Sequence, residues 1–464
     1  MQVTSIGEFR TAPGTYLEFP LSLGSGEVSS IPPSFNQSFH LATALASDGA
    51  AVASTVWIAV AFDVEGAIDI EALAWSFERF VERHSALRTT FHATEDGISR
   101  RVYSAPEATV GVPMPTDVLA ADELSAHIRT RMNLLCHPSQ SPSYSFAAVD
   151  RPDSSTIVCG FDHAHVDAVS MTVAAEEISS LYRARTKNER IELPSVGSFV
   201  EYCAAEAETP EVPASDPRIR AWSQFVADCG GSTPGFPFDL GVPSGANAPQ
   251  ATTIRPIATA TDAESFERRC REGGAGMFSG VAAAMATASA DIGGPHTLPL
   301  LFPLHTRRDS EFAHALGWFT TNAPMSVTAT ASFAETLEAA HRAFRDALPL
   351  GTVPIPRVLA ALGDQFARTR HDVFMISYVD YRTLPGAGDA LRNAHHISNV
   401  TTADDAQFWV SRTEDGLSLR SRFPDTPLGR SAIERFTDSL ATLIATQSRF
   451  DCEPSELSLV GPSA

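Results

Sequence analysis

The sequence predicts an α/β protein of two lobes, and three observations support this fold class. The chain has 464 residues, which is more than one hydrophobic core usually serves. Strand-like and helix-like apolar patterns alternate along both halves of the chain. Between the halves, residues 208–250 are dense in Pro, Gly, Ser and Ala apart from a helical pattern at 218–227, which is typical of an inter-lobe connection.

The same patterns give the expected boundaries. Residues 1–30 are rich in Gly, Ser, Thr and Pro with little periodicity, and we interpret them as an extended N-terminal arm. The N-terminal lobe is expected at 31–207 and the C-terminal lobe at 251–464. Because the two lobes have a similar make-up, we expect a pseudo-symmetric pair with a cleft between them.

In the N-terminal lobe, β-branched or aromatic runs predict the strands, and apolar residues at helical spacing predict the helices. Asp69 caps the first helix, and Asp96 with Gly97 predicts a hairpin turn. The expected elements are strand 55–62, helix 70–81, a helix-to-strand junction at 83–91, hairpin strand 100–103, helix 121–135, strand 155–161 and helix 169–183. This order is typical of a mixed sheet covered by helices on one side.

The C-terminal lobe repeats the alternation without a recognisable sequence repeat. The expected elements are strand 252–260, helix 262–271, helix 277–290, strand 296–304, strand 316–327 interrupted by Gly317, helix 333–347, strand 372–379, a hairpin of 407–411 with 417–423, and helix 430–447. The second lobe is therefore predicted to be another α/β unit.

Charge and cysteine content exclude several classes of protein. A formal charge of -21 without a Lys- or Arg-rich stretch argues against a nucleic-acid-binding protein. The N-terminus lacks the apolar core of a signal peptide, and the longest apolar run, near 52–62, is too short to span a bilayer. We therefore expect a cytoplasmic monomer with no membrane association. Six scattered cysteines without a C-x-x-C pair indicate reduced, mostly buried thiols.

One short stretch, residues 162–168 (DHAHVDA), lies between a predicted strand and a predicted helix. His163 would lie on a tight loop held by two rigid elements. Such a position suits a side chain that must point in a defined direction. Imidazole has a pKa of about 6.5 and is therefore suited to act as a general base at neutral pH. Asp167, four residues later, can turn back and hold the loop.

Five stretches resemble, in order, the motifs of one family. Residues 83–91 (RHSALRTTF) are similar to R-H-E-x-L-R-T-x-F, and residues 162–168 stand where that family has H-H-x-x-x-D-G. Residues 34–37 (SFNQ), 198–202 (SFVEY) and 316–322 (LGWFTTN) are weaker matches at the expected places. The chain thus resembles the condensation domains of nonribosomal peptide synthetases and the polyketide-associated acyltransferases, and is similar to a free-standing member of that superfamily.

The resemblance implies a fold and a set of site residues. The fold would be two chloramphenicol-acetyltransferase-like lobes that form a pseudo-dimer around an active-site tunnel. The catalytic residues would be His163 and Asp167, with Arg307 of the second lobe as the partner of Asp167. Arg88 is expected to support the structure through an internal ion pair. The candidates for tunnel lining are Asp162, His165, Ala168 and Trp318.

Two positions depart from the family pattern. Asp162 replaces the first histidine of H-H-x-x-x-D-G, and Ala168 replaces the closing glycine. The second histidine is the important one in the family, and it is kept as His163. Ala168 adds a methyl group where the backbone is expected to approach the arm of the donor.

The implied function is that of an acyltransferase in natural-product biosynthesis that forms an amide or ester bond. The donor would be an acyl or peptidyl thioester on the phosphopantetheine arm of a carrier protein or on coenzyme A, and the acceptor a small amine or alcohol. No bound cofactor is expected. Because a thioester is already activated, direct attack needs no Ser or Cys nucleophile, and the sequence has no G-x-S-x-G motif.

Three alternatives stay open at the level of sequence. A catalytically inactive scaffold that recruits a partner enzyme fits the altered positions Asp162 and Ala168, whereas the retention of His163 and Asp167 argues against it. An epimerase relative acting on a carrier-bound residue is a second alternative. His163, His165 and Asp167 could hold a metal ion, but alternate residues diverge on a strand and no further ligand cluster is evident, so no metal is expected.

Overall fold

The computed structural model describes residues 1–46, 56–95, 97–118, 120–386 and 391–449. The expected first residue of the first strand, Thr55, the turn residue Asp96 and Cys452 lie outside the described residues. Two seven-stranded sheets, each mixed in strand direction and each packed against its own helices, form two lobes. The predicted α/β fold class with two lobes is therefore confirmed.

The first sheet contains strands from both ends of the chain. Its strands, numbered along the chain and given in order across the sheet, are β1 (Gln2–Ser5), β16 (Arg392–Ser398), β5 (Trp57–Glu65), β11 (Ser154–Asp162), β10 (Tyr144–Asp150), β2 (Gly14–Phe19) and β9 (Met114–Val118). Only β1 and β16 are parallel among these neighbours. The strand β11, which precedes His163, is thus central and has hydrogen-bonded neighbours on both sides.

The second sheet has the same number of strands. In order across the sheet they are β14 (Thr320–Thr328), β13 (Thr297–His305), β15 (Met375–Asp380), β18 (Gln407–Thr413), β19 (Gly416–Pro424), β12 (Ala248–Thr259) and β17 (Thr402–Ala403). The strand β15 runs parallel to both of its neighbours. The expected strand 316–327 begins only at Thr320, so residues 317–319 are free to form a loop.

Two small sheets and eleven helices complete the described fold. The small sheets pair β3 (Leu21–Ser22) with β8 (Thr109–Val110), and join β4 (Gly26–Ser29), β7 (Gly97–Tyr103) and β6 (Thr89–Thr94). The helices are α1 (Phe35–Ala46), α2 (Ile70–Arg83), α3 (Ala121–Leu135), α4 (Ala168–Thr186), α5 (Phe199–Ala207), α6 (Pro217–Asp228), α7 (Ala260–Glu272), α8 (Met277–Asp291), α9 (Phe333–Ala347), α10 (Ile355–Leu362) and α11 (Pro427–Arg449).

Both faces of the first sheet are covered, which explains the continuous apolar run of β5. Val60 and Phe62 pack into the core formed with α2 and α4. Ala59 and Ala61 point to the opposite face and pack with residues of α3. The prediction of helices on one side only was therefore wrong, because α3 seals the second face. Burial on two sides fixes the register of β5 and β11. The position of the loop that follows β11 is therefore fixed relative to the sheet.

Three features differ from the expected division of the chain. The N-terminal residues, interpreted as an arm, instead supply β1 to β4, and β2 lies inside the first sheet. The strand β16 comes from the second half of the sequence but pairs with β5 of the first lobe. The strand β12 begins at Ala248, inside the expected connection 208–250. Strand pairing over such separations leaves no local sequence signal.

Within the described residues, no helix combines the length and the apolar composition needed to cross a lipid bilayer.

Candidate active site

His163 stands at the end of the central strand of the first sheet. β11 ends at Asp162, residues 163–165 form one turn of 3₁₀ helix, and α4 begins at Ala168. The backbone N–H of His163 donates to the carbonyl of Val56 at 3.1 Å, so the loop is tied to the neighbouring chain segment. The histidine is therefore held from both sides by regular structure.

The His163 ring is partly exposed. Its Nδ1 is buried, and neither ring nitrogen forms a hydrogen bond with any residue that the structure describes. Burial lowers the pKa of His163 below its ordinary value of 6.5, and the neighbouring His40 lowers it further. The imidazole is therefore neutral at pH 7 and has a lone pair available to accept a proton.

Trp318 of the second lobe packs on the His163 ring. The two ring centroids are 3.9 Å apart, with an angle of 33° between the planes. Trp318 follows Gly317, whose φ is +158° and whose Cβ, if present, would lie 2.3 Å from the ring of Phe199. Only glycine fits at this position, so Gly317 allows the loop to bring the indole against the histidine.

Asp167 and Arg307 join the two lobes directly beside this loop. Nη1 and Nη2 of Arg307 donate to Oδ2 and Oδ1 of Asp167 at 2.5 and 2.8 Å, and both side chains are more than nine-tenths buried. Asp167 also caps α4 by accepting from the N–H of Ser170 at 2.9 Å. Burial alone would raise the pKa of Asp167, but the charge and hydrogen bonds of Arg307 outweigh burial and hold it below the ordinary value.

The pair is further fixed from the second lobe. The N–H of Phe319 donates to Oδ2 of Asp167 at 3.1 Å, and the guanidinium of Arg307 lies over the Phe319 ring, 4.4 Å from its centroid. Trp318 is the residue just before Phe319. The Asp167–Arg307 ion pair and the contact of the Trp318 ring with His163 are thus both made by the connection between β13 and β14. Together they place His163 at the junction between the lobes.

Asp162 does not line a passage, since its side chain is fully buried. Nε2 of His40 on α1 lies 3.0 and 2.9 Å from its two carboxylate oxygens, and the N–H of Ala164 donates to Oδ1 at 2.9 Å. Gln37, three residues before His40 on the same face of α1, donates to the carbonyl of Ala164 at 2.8 Å. Sequence reasoning missed His40; its spacing of three from Gln37 was the available signal.

His165, expected as a lining residue, is also fully buried. Its Nε2 lies 2.7 Å from Oγ of Ser143, and its Nδ1 lies 2.8 Å from the carbonyl of Ala86. Both ring nitrogens are therefore occupied by structural contacts. Among the lining candidates, Ala168 and Trp318 are partly exposed, whereas Asp162 and His165 are enclosed.

Arg88 does not form the expected ion pair within the described residues. Its Nη1 donates to the carbonyl of Tyr103 at 2.9 Å, and no carboxylate lies within ion-pair distance in that part of the chain. The carboxylate of this region, Glu177, instead binds Arg83 at 3.0 Å and His84 at 2.8 Å. The motif at 83–91 is thus structural, with Arg83 and His84 rather than Arg88 making the ion pairs.

The residues that the structure describes include no group of three or more His, Cys, Asp or Glu side chains arranged to hold a metal ion. The five cysteines in the described ranges are free thiols.

A cavity of about 480 Å³ opens between the lobes. Its walls come from α1 and α5 of the first lobe and from the segments around 306–312, 320–321 and 351–356 of the second. Its charged lining residues are Glu201, Glu206, Arg308, Asp309 and Glu311. The cavity reaches Thr320, two residues after Trp318, although His163 itself does not line it.

Known proteins with this architecture identify the family. The family model described as Condensation domain matches residues 51–445. Acyltransferase PapA3 of Mycobacterium tuberculosis is 27% identical over 427 residues, covering 90% of this chain and 88% of that protein. Trehalose-2-sulfate acyltransferase PapA2 of Mycobacterium bovis is 24% identical over 424 residues, covering 90% and 89%.

Solved structures agree on the fold. The structure of PapA2 acyl transferase superposes with a TM-score of 0.89 at 23% identity, covering 97% of this chain and all of that one. The first condensation domain of the calcium-dependent antibiotic synthetase, in complex with a substrate analogue, gives a TM-score of 0.66 at 17% identity, covering 92% and 98%. The chain therefore belongs to the condensation-domain family, and it is an acyltransferase of the condensation type.

Proposed function

We propose that this protein transfers an acyl group from a thioester to a hydroxyl or amino group of a small acceptor, with His163 as the general base. The observation that carries the proposal is the state of His163: a partly exposed, neutral imidazole without a hydrogen-bond partner among the described residues, held at the lobe junction. A histidine with a purely structural role, such as His165, has both nitrogens bound.

The proposed reaction needs only one proton carrier. The acceptor oxygen or nitrogen forms a bond to the thioester carbonyl carbon while its own proton passes to the imidazole of His163. The tetrahedral intermediate then collapses and the C–S bond breaks. The imidazolium returns the proton to the leaving sulfur, which departs as a thiol. Atoms and charge balance without a covalent enzyme intermediate, because the donor is already activated.

Asp167 and Arg307 are assigned a positioning role in this mechanism. Their carboxylate oxygens and Nη atoms bond to each other, to Ser170 and to the backbone of the 315–319 loop, which directs these atoms to the protein rather than to a substrate. Their function would be to hold the start of α4 and the Trp318 loop in fixed relative positions. His163 would then contact a bound acceptor in one geometry.

The charge of the inter-lobe cavity argues against entry of the donor there. The inter-lobe cavity has four carboxylates and one guanidinium in its wall, a set that repels the phosphates of coenzyme A or of a phosphopantetheine arm. Because the named relatives include a trehalose-2-sulfate acyltransferase, a sugar-like hydroxyl acceptor is favoured over an amine. The donor, carrier-bound or coenzyme A-bound, would enter elsewhere.

The inactive-scaffold alternative loses its main support. It rested on Asp162 and Ala168, but Asp162 is matched by His40 in a buried pair, and Ala168 forms the first residue of a regular helix. A cytoplasmic location and a monomeric state stay predictions from the sequence.

The proposal is tested by incubating the protein with acyl-coenzyme A or loaded carrier proteins and a panel of sugar and amine acceptors, with products read by intact mass. The wild type should give acylated acceptor, His163→Ala should not, and the exposed control His371→Ala should behave as the wild type. Tight carrier binding without any product in the wild type would favour the scaffold.

A further inference from the structure

Arg420 on β19 is a buried cation without an ion-pair partner among the described residues. The residue is 8% exposed, its Nε is fully buried, and no group among the described residues accepts a hydrogen bond from its guanidinium. A guanidinium carries five N–H donors, and burying it without acceptors is costly. Burial lowers the pKa of Arg420 to about 10, so the side chain still carries its charge at neutral pH.

The three other arginines with almost fully buried side chains each have at least one acceptor, although Nε of each lacks one within the described residues, and Arg307 binds Asp167. Arg100 donates to Oε1 of Gln37 at 2.8 Å, and Arg412 donates to the carbonyl of Thr413 at 2.6 Å. For Arg420, the part of the chain that the structure describes supplies only an aromatic contact: its guanidinium carbon lies 4.2 Å from the centroid of the Trp409 ring. A ring face attracts the charge but leaves the N–H donors unsatisfied. This difference marks Arg420 as a group that lacks its ligand.

Arg420 faces the first lobe. Its neighbours on β19, Leu417, Leu419 and Phe423, pack into the helix-covered core of the second lobe, so the alternate position 420 points to the opposite face of the sheet. Glu8 of the first lobe is close enough to influence the pKa of Arg420 but does not form an ion pair with it. The guanidinium is therefore at the interface between the lobes.

Two polar residues of β16 face the same interface. Nδ1 of His396 lies 3.1 Å from the hydroxyl of Tyr381, which follows β15 of the second lobe. Burial, the charge of Arg420 and the proximity of His163 lower the pKa of His396 to about 3, so His396 is neutral and near both groups. Two residues along the same face, Oγ of Ser398 is buried and also has no partner in the described part of the chain.

The strand register places Ser398 at the end of the sheet that carries His163. Ser398 is opposite Ile58 on β5, and the preceding residue of β5, Trp57, is opposite Asp162 on β11. Ser398 and His396 therefore lie on one face of β16 near the end of the sheet that carries His163, and Arg420 is close enough to His396 to lower its pKa. Nδ1 of His396 is bonded to Tyr381, so the donors that lack an acceptor in the described part of the chain are the guanidinium of Arg420 and the hydroxyl of Ser398. Donors of this kind fit an anion.

We infer that Arg420, His396 and Ser398 form a subsite for a negatively charged group carried by the acceptor, such as a sulfate ester, a phosphate ester or a carboxylate. This inference rests on the proposed function for its place in the reaction. The donor does not suit this subsite, because the full length of the pantetheine arm separates its phosphates from the thioester carbonyl at His163. A group attached close to the attacking hydroxyl reaches the subsite.

Sulfate binding tests the subsite without turnover. Titration of the full chain with sodium sulfate, at ionic strength kept constant with chloride, should give saturable binding by calorimetry and a rise in melting temperature. Loss of a charge-assisted contact in Arg420→Met should weaken sulfate binding by at least about tenfold. Arg420→Lys should keep part of it, and the exposed control Arg345→Met should match the wild type.

Three readouts separate the possible outcomes. His163→Ala should bind sulfate as the wild type does, so that failure of the catalytic proposal and failure of the subsite are independent. Arg420→Met should melt at the same or a higher temperature, since it removes an unpaired buried charge. Coenzyme A should bind together with sulfate. Unchanged sulfate affinity in Arg420→Met overturns the subsite, and displacement of sulfate by coenzyme A overturns its assignment to the acceptor.

Discussion

Arg307 of the second lobe and Asp167 of the first lobe form a two-armed ion pair at the start of the helix that follows His163. The pair is almost completely buried, and each member has further hydrogen bonds to the same two segments. It therefore connects the position of the Trp318 loop to that of the His163 loop. The stability of the lobe junction and the geometry of the site depend on the same contact.

Asp167→Ala should destabilise the protein as well as impair acyl transfer. Removing one partner of a buried ion pair leaves the other charge uncompensated, which costs about 3–5 kcal/mol in the free energy of unfolding. Denaturant unfolding measures the loss. The control is Glu338→Ala, which breaks an exposed pair with Arg342 and should cost about 0.5 kcal/mol or less. Equal costs for the two variants would contradict the assigned role of Asp167.

Gly317→Ala should disrupt the Trp318 loop. A Cβ at this position would lie 2.3 Å from the Phe199 ring, so steric overlap adds to backbone strain, and we expect a loss of at least about 2 kcal/mol and reduced turnover. Gly230→Ala is the matched control, because its φ is +73° but no atom lies within 4 Å of the added methyl. It should lose only about 1–2 kcal/mol and keep full activity. Similar activity in the two variants would argue against a role for the loop in positioning Trp318.

His40→Ala should leave the buried Asp162 carboxylate without its partner. We expect at least about 1–3 kcal/mol of destabilisation from the unsatisfied buried carboxylate and a disordered His163 loop, since Asp162 also accepts from the N–H of Ala164. Adding Asp162→Asn to this variant removes the charge and should recover part of the stability. Thermal unfolding of the two single variants and the double variant measures this coupling. If the effects simply add, the pair is not coupled as described.

The pH dependence of acyl transfer should have an acid limb below pH 6.5. His163 must be neutral to accept a proton, and burial lowers its pKa, so the active fraction rises as pH increases through that lowered pKa and is constant above it. The measurement is kcat/KM against pH with a saturating second substrate. A limb centred above pH 7 would mean that a different group, or a charged His163, controls the reaction.

Local patterns predicted the parts of the site that lie within one stretch of chain. The strand before His163 and the helix after it follow from apolar periodicity, and Asp167 has the spacing of a helix cap. The choice of Arg307 came from family resemblance, and the structure places it at Asp167. The ion pair expected for Arg88 from the helix-to-strand junction was wrong, because the structure has a carbonyl contact instead.

Contacts between distant segments could not be predicted from local sequence patterns. The pairing of β16 with β5 joins residues more than three hundred positions apart, and it brings His396 and Ser398 to the site. The pairing of His40 with Asp162 depends on which face of α1 is turned toward the His163 loop, which lies far along the chain. Burial of Asp162 and His165 likewise follows from tertiary packing rather than from alternation along the motif.

The most direct test of the catalytic assignment is a single-turnover measurement with His163→Ala, pre-bound to acyl donor and mixed with excess acceptor. Acyl transfer should slow by at least about a hundredfold while the melting temperature stays within about 2 °C of the wild type. Transfer at the wild-type rate in a correctly folded His163→Ala protein would contradict the account, because no other described residue is assigned the role of the base.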